Sequence, residues 1–251
     1  MAVVSTPAIP LRRFPYGETS LILRFYAREL GVVGVMAKGA RKRGSRGTGV
    51  PETFARGVLT VYVKESRGLQ TMKDFAAEKP RRRMGRDVLR FAGASVLGEV
   101  VMRHAGEEGN PGLFERLDGS LDRIEDAQRD GLLARILAEG WGLVGALGYR
   151  PVLDACVECG EPLVPDAMGR FDFGAGGIRC PGCSGEAGGP RIGPAARSQL
   201  HALLEGETVK ELRRPRAHVR LLSDFVTYHV SGGHPLDSFR VLLDFVRSDD
   251  A

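Results

Sequence analysis

Only one tryptophan, six lysines and four cysteines occur among the 251 residues, and aromatic side chains make up 7 % of the chain. A chain of this length needs no disulfide framework, because it buries enough surface to stabilise a core. The longest strongly apolar stretch, residues 140–149, is half of what a bilayer span of about 20 residues requires. The start of the chain, MAVVSTPAIPLRRF, has no basic residues followed by an apolar core, so no secretory leader is read there. These absences predict a soluble cytoplasmic protein with no membrane partner. With 43 % hydrophobic and 27 % charged residues the chain falls in the ordinary globular range.

The net charge of +5 is unevenly spread. Residues 1–90 carry 19 basic and seven acidic side chains, a net +12, and the remainder carries −7. Clustered cations attract polyanions and speed their capture, so nucleic acid is the first partner to consider; a solvated basic face without a ligand is the plainer alternative. The densest cluster is Lys38-Gly39-Ala40-Arg41-Lys42-Arg43-Gly44-Ser45-Arg46-Gly47. Five cations among small residues suit a loop that follows a phosphate backbone without reading bases. The loop has neither the Gly-Lys-Ser/Thr of a Walker loop nor a dinucleotide fingerprint. A second cluster, Arg81-Arg82-Arg83 with Arg86, either extends the same track or solvates a helix start.

Hydrophobic spacing divides the chain at about residue 80. Residues 20–26, 32–37, 54–63 and 69–75 read as strands, with one more over 3–9 or 11–14 and a bulge or tight curvature at Gly34. Five short strands without a long helix predict a small barrel over residues 1–79, since closure removes exposed edges. From residue 81 the spacing becomes helical, with stripes through Leu89–Val100, residues 113–124, 133–147, 195–204, 218–229 and 238–246. The fold class is therefore α+β: a β-barrel, then a helical domain over 80–251. That domain is interrupted at about 152–190 by a glycine-rich segment holding all the cysteines. Among the barrel aromatics, Tyr26 and Tyr62 are the better candidates for stacking on bases.

The cysteines read Cys156-x2-Cys159, twenty residues, Cys180-x2-Cys183. Two CxxC turns facing each other close a tetrahedron of four sulfurs, so one structural Zn2+ per chain is expected, with no open position to activate water. A disulfide pairing or a redox CxxC fits this setting less well. Catalysis finds little support. Asp118, Asp122, Glu125 and Asp126 share a helix face and suit a solvated surface better than a metal-dependent nuclease, and the five histidines are scattered. No enzyme activity is expected.

Further residues carry a resemblance. Glu18-Thr19-Ser20-Leu21-Ile22-Leu23, Glu29-Leu30-Gly31 and Ala37-Lys38-Gly39-Ala40-Arg41-Lys42 resemble the N-terminal signature of the RecO family of DNA repair and recombination-mediator proteins. Leu147-Gly148-Tyr149-Arg150-Pro151-Val152-Leu153 leading to Cys156-x-x-Cys159-Gly160, and Gly176-Gly177-Ile178-x-Cys180-x-x-Cys183, are similar to that family's zinc segment. His229-Val230 with Pro235-Leu236 resembles its HL…PLKSR ending, with Asp237-Ser238-Phe239-Arg240 replacing the basic part. The resemblance implies an N-terminal oligonucleotide/oligosaccharide-binding (OB) barrel and a helical domain carrying the zinc module. It implies binding of single- and double-stranded DNA and annealing of complementary strands. It also implies work with RecR and single-stranded DNA-binding protein to load RecA, at the nucleoid. The competing reading is a zinc-ribbon adaptor of transcription or translation.

Overall fold

A computed structural model describes residues 2–41, 50–64, 66–186, 188–207 and 209–246. Five strands, β1 (Ala2–Tyr16), β2 (Ser20–Ala27), β3 (Gly31–Ala37), β4 (Arg56–Val63) and β5 (Leu69–Lys79), pair as a ring in the order β1-β2-β3-β5-β4 and back to β1. The ring closes through a short parallel seam in which Gly34, Val35 and Met36 pair with Leu69, Gln70 and Thr71. The expected alternatives for the first strand are one continuous strand. Its first half, Ala2 to Ala8, pairs with β4, and Ala8 to Tyr16 pairs with β2. Each half thus has one free edge, which accommodates Pro7, Pro10 and Pro15 within a strand. Alternation places Leu21, Leu23, Phe25, Val35, Leu59, Val61 and Phe75 inside the barrel. Gly34 marks no bulge, because β2 and β3 pair there without a shift. It leaves room instead: a Cβ at that position would stand 2.9 Å from the Arg24 guanidinium crossing above it.

Two helices complete the same compact unit, which spans Met1–Glu125. Helix α1 (Val88–His104) starts at Asp87, whose carboxylate accepts from the backbone N–H groups of Leu89 and Arg90 at 3.0 and 3.2 Å. Its Gly98 meets Phe54 and Leu11 of the barrel wall. The connection to α2 (Pro111–Asp126) straps the β2–β3 turn, where the Val32 N–H donates to the Gly106 carbonyl at 3.0 Å. Gly31 is required at that crossing. Its φ is 63°, and a Cβ would lie 2.4 Å from the Gly106 oxygen. The expected boundary at 79/80 therefore marks a change of secondary structure and not of packing, and the second compact unit begins at Asp126.

That second unit contains α3 (Leu132–Ala146), a small sheet of β6 (Gly169–Asp172), β7 (Gly177–Arg179) and β8 (Arg191–Ile192) in the order β7-β6-β8, then α4 (Pro194–Leu204), α5 (Pro215–His229) and α6 (Asp237–Phe245). Trp141 is fully buried with its ring 5.2 Å from that of Phe225. Phe171 of β6 meets Phe225 edge-on at 5.9 Å, which joins the sheet to the helical core. No helix among the described residues is long and apolar enough to cross a membrane.

Candidate metal centre and nucleic-acid interface

The four cysteine sulfurs converge to within 4.8 Å of one another, and theirs is the one such cluster of potential ligands among the described residues. Two tight turns bring them together. In the first, the Gly160 N–H donates to the Cys156 carbonyl at 2.9 Å, and Gly160 takes a φ of 76° that favours glycine. In the second, which follows β7, the Cys183 N–H donates to the Cys180 carbonyl at 3.1 Å. The turns are linked by the Cys180 N–H, which donates to the Cys156 sulfur at 3.3 Å.

The chemistry of the donor set fits a metal. Burial pushes the Cys156 thiol up, but backbone N–H groups of Cys159, Cys180 and Glu158 outweigh it and bring the thiol down to about 6. Sulfur–sulfur contacts with Cys180 and then Cys159 push Cys183 up to about 12. One sulfur is readily anionic and its neighbour resists ionisation until positive charge arrives, which a metal ion would supply. The four cysteines are unbridged. Nearby Arg179 is committed to Asp172 at 2.6 Å and Glu158 at 3.2 Å.

The predicted DNA contacts divide. Lys38 and Arg41 are exposed in the turn after β3, and the Arg41 N–H donates to the Thr19 carbonyl at 2.9 Å, which fixes the start of the basic loop beside the β1–β2 turn. Lys42, Arg43 and Arg46 lie outside the described residues. Arg82, Arg83 and Arg86 are exposed. Arg81 is not a surface cation. Its side chain is 2 % exposed, donates to the Phe54 carbonyl at 2.8 Å and the Asp118 carbonyl at 2.9 Å, and pairs with the carboxylates of Asp118 and Asp122.

The acidic helix face is likewise no solvated surface. Asp118 is buried and pairs with Arg56 at 2.7 Å as well as Arg81; Asp122 pairs with Lys79 at 2.7 Å. Glu125 accepts from the backbone N–H groups of Arg83 and Met84 at 2.8 and 2.9 Å. These carboxylates seat α2 on the barrel, and cations occupy the positions a nuclease metal would need. Tyr26 is also misjudged by strand alternation alone: it does face out of the barrel, but α2 covers it completely, with Phe114 at 6.2 Å between ring centroids. Tyr62 is half-buried. The barrel aromatics left exposed are Phe14 and Tyr16, 40 % and 52 % accessible.

Comparison with known proteins accounts for both halves. Residues 1–81 match the family described as Recombination protein O N terminal, and residues 85–235 match Recombination protein O C terminal. The DNA repair protein RecO of Desulfatibacillum aliphaticivorans is 31 % identical over 258 residues, covering 98 % of this chain and 99 % of that protein. Its namesake in Anaeromyxobacter dehalogenans is 33 % identical over 204 residues (78 % and 76 %), and that of Bacillus pumilus 30 % over 182 residues (72 % and 68 %). Matched across both halves, and along nearly its whole length by a single relative, the chain belongs to the RecO family.

Proposed function

We propose that the chain is a DNA-binding recombination mediator in DNA repair, acting without enzymatic turnover in the cytoplasm, at the nucleoid. Family membership carries this reading, and the RecO relatives are named as DNA repair proteins. The strand order supports an OB-type barrel, which binds oligonucleotides on a sheet face and its loops. Lys38 and Arg41, held beside the β1–β2 turn, would contact phosphates together with Lys42, Arg43 and Arg46, and Arg82, Arg83 and Arg86 would extend the track. Cations lower the repulsion between two backbones, so complementary strands held on one surface pair faster. RecR, single-stranded DNA-binding protein and, through them, RecA are the proposed partners. The metal is proposed as one Zn2+, held by Cys156, Cys159, Cys180 and Cys183 as a structural clamp.

Strand annealing tests the reading: complementary strands coated with single-stranded DNA-binding protein should pair faster when the chain is added, and remain uncut with Mg2+ present. Cleavage, or no acceleration, would overturn it. If about five phosphates are neutralised on a single strand, log K should fall with log salt at a slope of about −3.5.

A further inference from the structure

The outward face of the β1–β2 hairpin carries a surface that charge alone does not explain. Beyond the register shift at Pro10/Arg12, β1 and β2 pair Arg12 with Arg24, Phe14 with Ile22 and Tyr16 with Ser20. Directly opposed residues share a face, and Leu21, Leu23 and Phe25 fill the barrel interior, so this set points outward. The row continues onto β3, where Ile22 pairs with Met36 and Arg24 with Gly34. Two exposed rings therefore stand beside half-buried Ile22 and Met36, with arginines along one side.

The charges are arranged to meet phosphates. The Arg12 guanidinium lies 5.3 Å from the centroid of the Phe14 ring, which places a cation next to an exposed π face. Among the described residues Arg12, Arg24, Lys38 and Arg41 have no ion-pair partner, and Glu18 at the hairpin turn is the hairpin's one acid. The hydrogen bond from Arg41 to Thr19 brings the start of the basic loop to the same hairpin, next to the Tyr16–Ser20 pair. An apolar aromatic strip bordered by free cations matches an unpaired strand, whose bases expose π faces and whose backbone is anionic. A duplex hides those faces within its own stack.

We propose that Phe14 and Tyr16 form a base-stacking platform for single-stranded DNA, giving the barrel a preference for unpaired over paired strands. This rests on the mediator reading above and adds what the basic loop cannot supply, because phosphate contacts do not distinguish unpaired from paired DNA by its bases.

The test uses the full chain, with a labelled oligothymidine and a duplex of the same length as probes, read by fluorescence anisotropy over a range of salt. The double variant Phe14→Leu/Tyr16→Leu keeps apolar bulk and removes both rings. It should bind the single strand at least about ten-fold more weakly, since one stacked base is worth roughly that much or more. Duplex affinity should stay within about two-fold and the salt slope should not change. Equal losses on both probes, or an unchanged single-strand affinity, would overturn the platform while leaving the mediator reading in place. A wild-type chain that binds neither probe would overturn both. Phe14→Trp separates contact from folding: it should retain affinity and show emission quenched by oligothymidine, and an unquenched signal from a bound complex would refute direct stacking.

Discussion

Arg81 shows how one side chain in a run of like residues can have a different fate from its neighbours. Its backbone takes a left-handed φ of 41°, a conformation that costs about 1–3 kcal/mol for a non-glycine residue, and the turn swings its guanidinium inward onto Phe54, Asp118 and Asp122. Breaking such a buried pair strands the opposite charge, so Arg81→Met should lower stability to urea by about 3–5 kcal/mol. Adding Asp118→Leu should restore much of the loss, because the uncompensated carboxylate goes with it; no recovery would show that the pair is not what holds Arg81. Arg82→Glu, at an exposed position, should leave the unfolding midpoint in place and weaken DNA binding alike on all sequences. The arginine run was legible as charge but not as burial, since three identical residues carry no periodicity to tell inside from outside. Tyr26 was obscured for a related reason. Alternation does set it facing out of the barrel, but the helix that covers it is contributed by residues some 85 positions later, beyond the reach of local pattern.

At the scale of elements, the seat of α2 and the cysteine turns make separable predictions. Burial alone would raise the Asp122 carboxyl, yet hydrogen bonding to Lys79 and the charge of Arg81 hold it below its ordinary 3.8. A depressed carboxyl contributes stability above its unfolded value and loses it as pH falls through the folded one. The Lys79 ammonium is raised above 10.5, chiefly by its hydrogen bond to Asp122, so its contribution persists at lower pH and is lost only as pH rises through that higher value. The seat should therefore hold through neutral pH and fail in acid below about 4. In a series of urea midpoints against pH, Asp122→Asn should flatten that acid limb; an unaltered limb would assign it to other carboxylates. For the cysteines, Cys180→Ser should abolish binding of one metal per chain by elemental analysis and destabilise the second unit, with single-strand affinity unchanged. Strands and helices were largely legible because periods of two and 3.6 are written in consecutive residues. The unity of β1 was not: residues 3–9 and 11–14 stood as alternatives, and only the pairing of the first half with β4 and the second with β2 joins them.

For the whole molecule, the packing boundary at 125/126 redraws the charge map. Residues 91–125 bring seven acids and three bases, so the barrel with its two helices carries +8 and the rest −3. Asp118 and Asp122 are paired with Arg56, Lys79 and Arg81 of the same unit, so these charges cancel locally and the net positive balance rests on the remaining cations. A fragment ending at residue 126 should unfold cooperatively in urea, whereas one ending at residue 81 should not, because it would bare Tyr26, leave the Val32 N–H without its acceptor and strip the Arg81 guanidinium of both carboxylates. Cooperative unfolding of the shorter fragment would show that the two helices are dispensable. The convergence of the four cysteines, by contrast, was legible, since two CxxC turns bring their sulfurs together by spacing alone.

Trp141 gives this division an optical consequence. The chain's single indole is buried against Phe225 in the second unit, and the first unit has none. Tryptophan emission is then a private channel for one half of the molecule, while circular dichroism sums over both. Recorded together during denaturation, the two signals would separate loss of the helical half from loss of the barrel without any label. Stripping metal should shift the emission curve and leave the remaining ellipticity transition where it was.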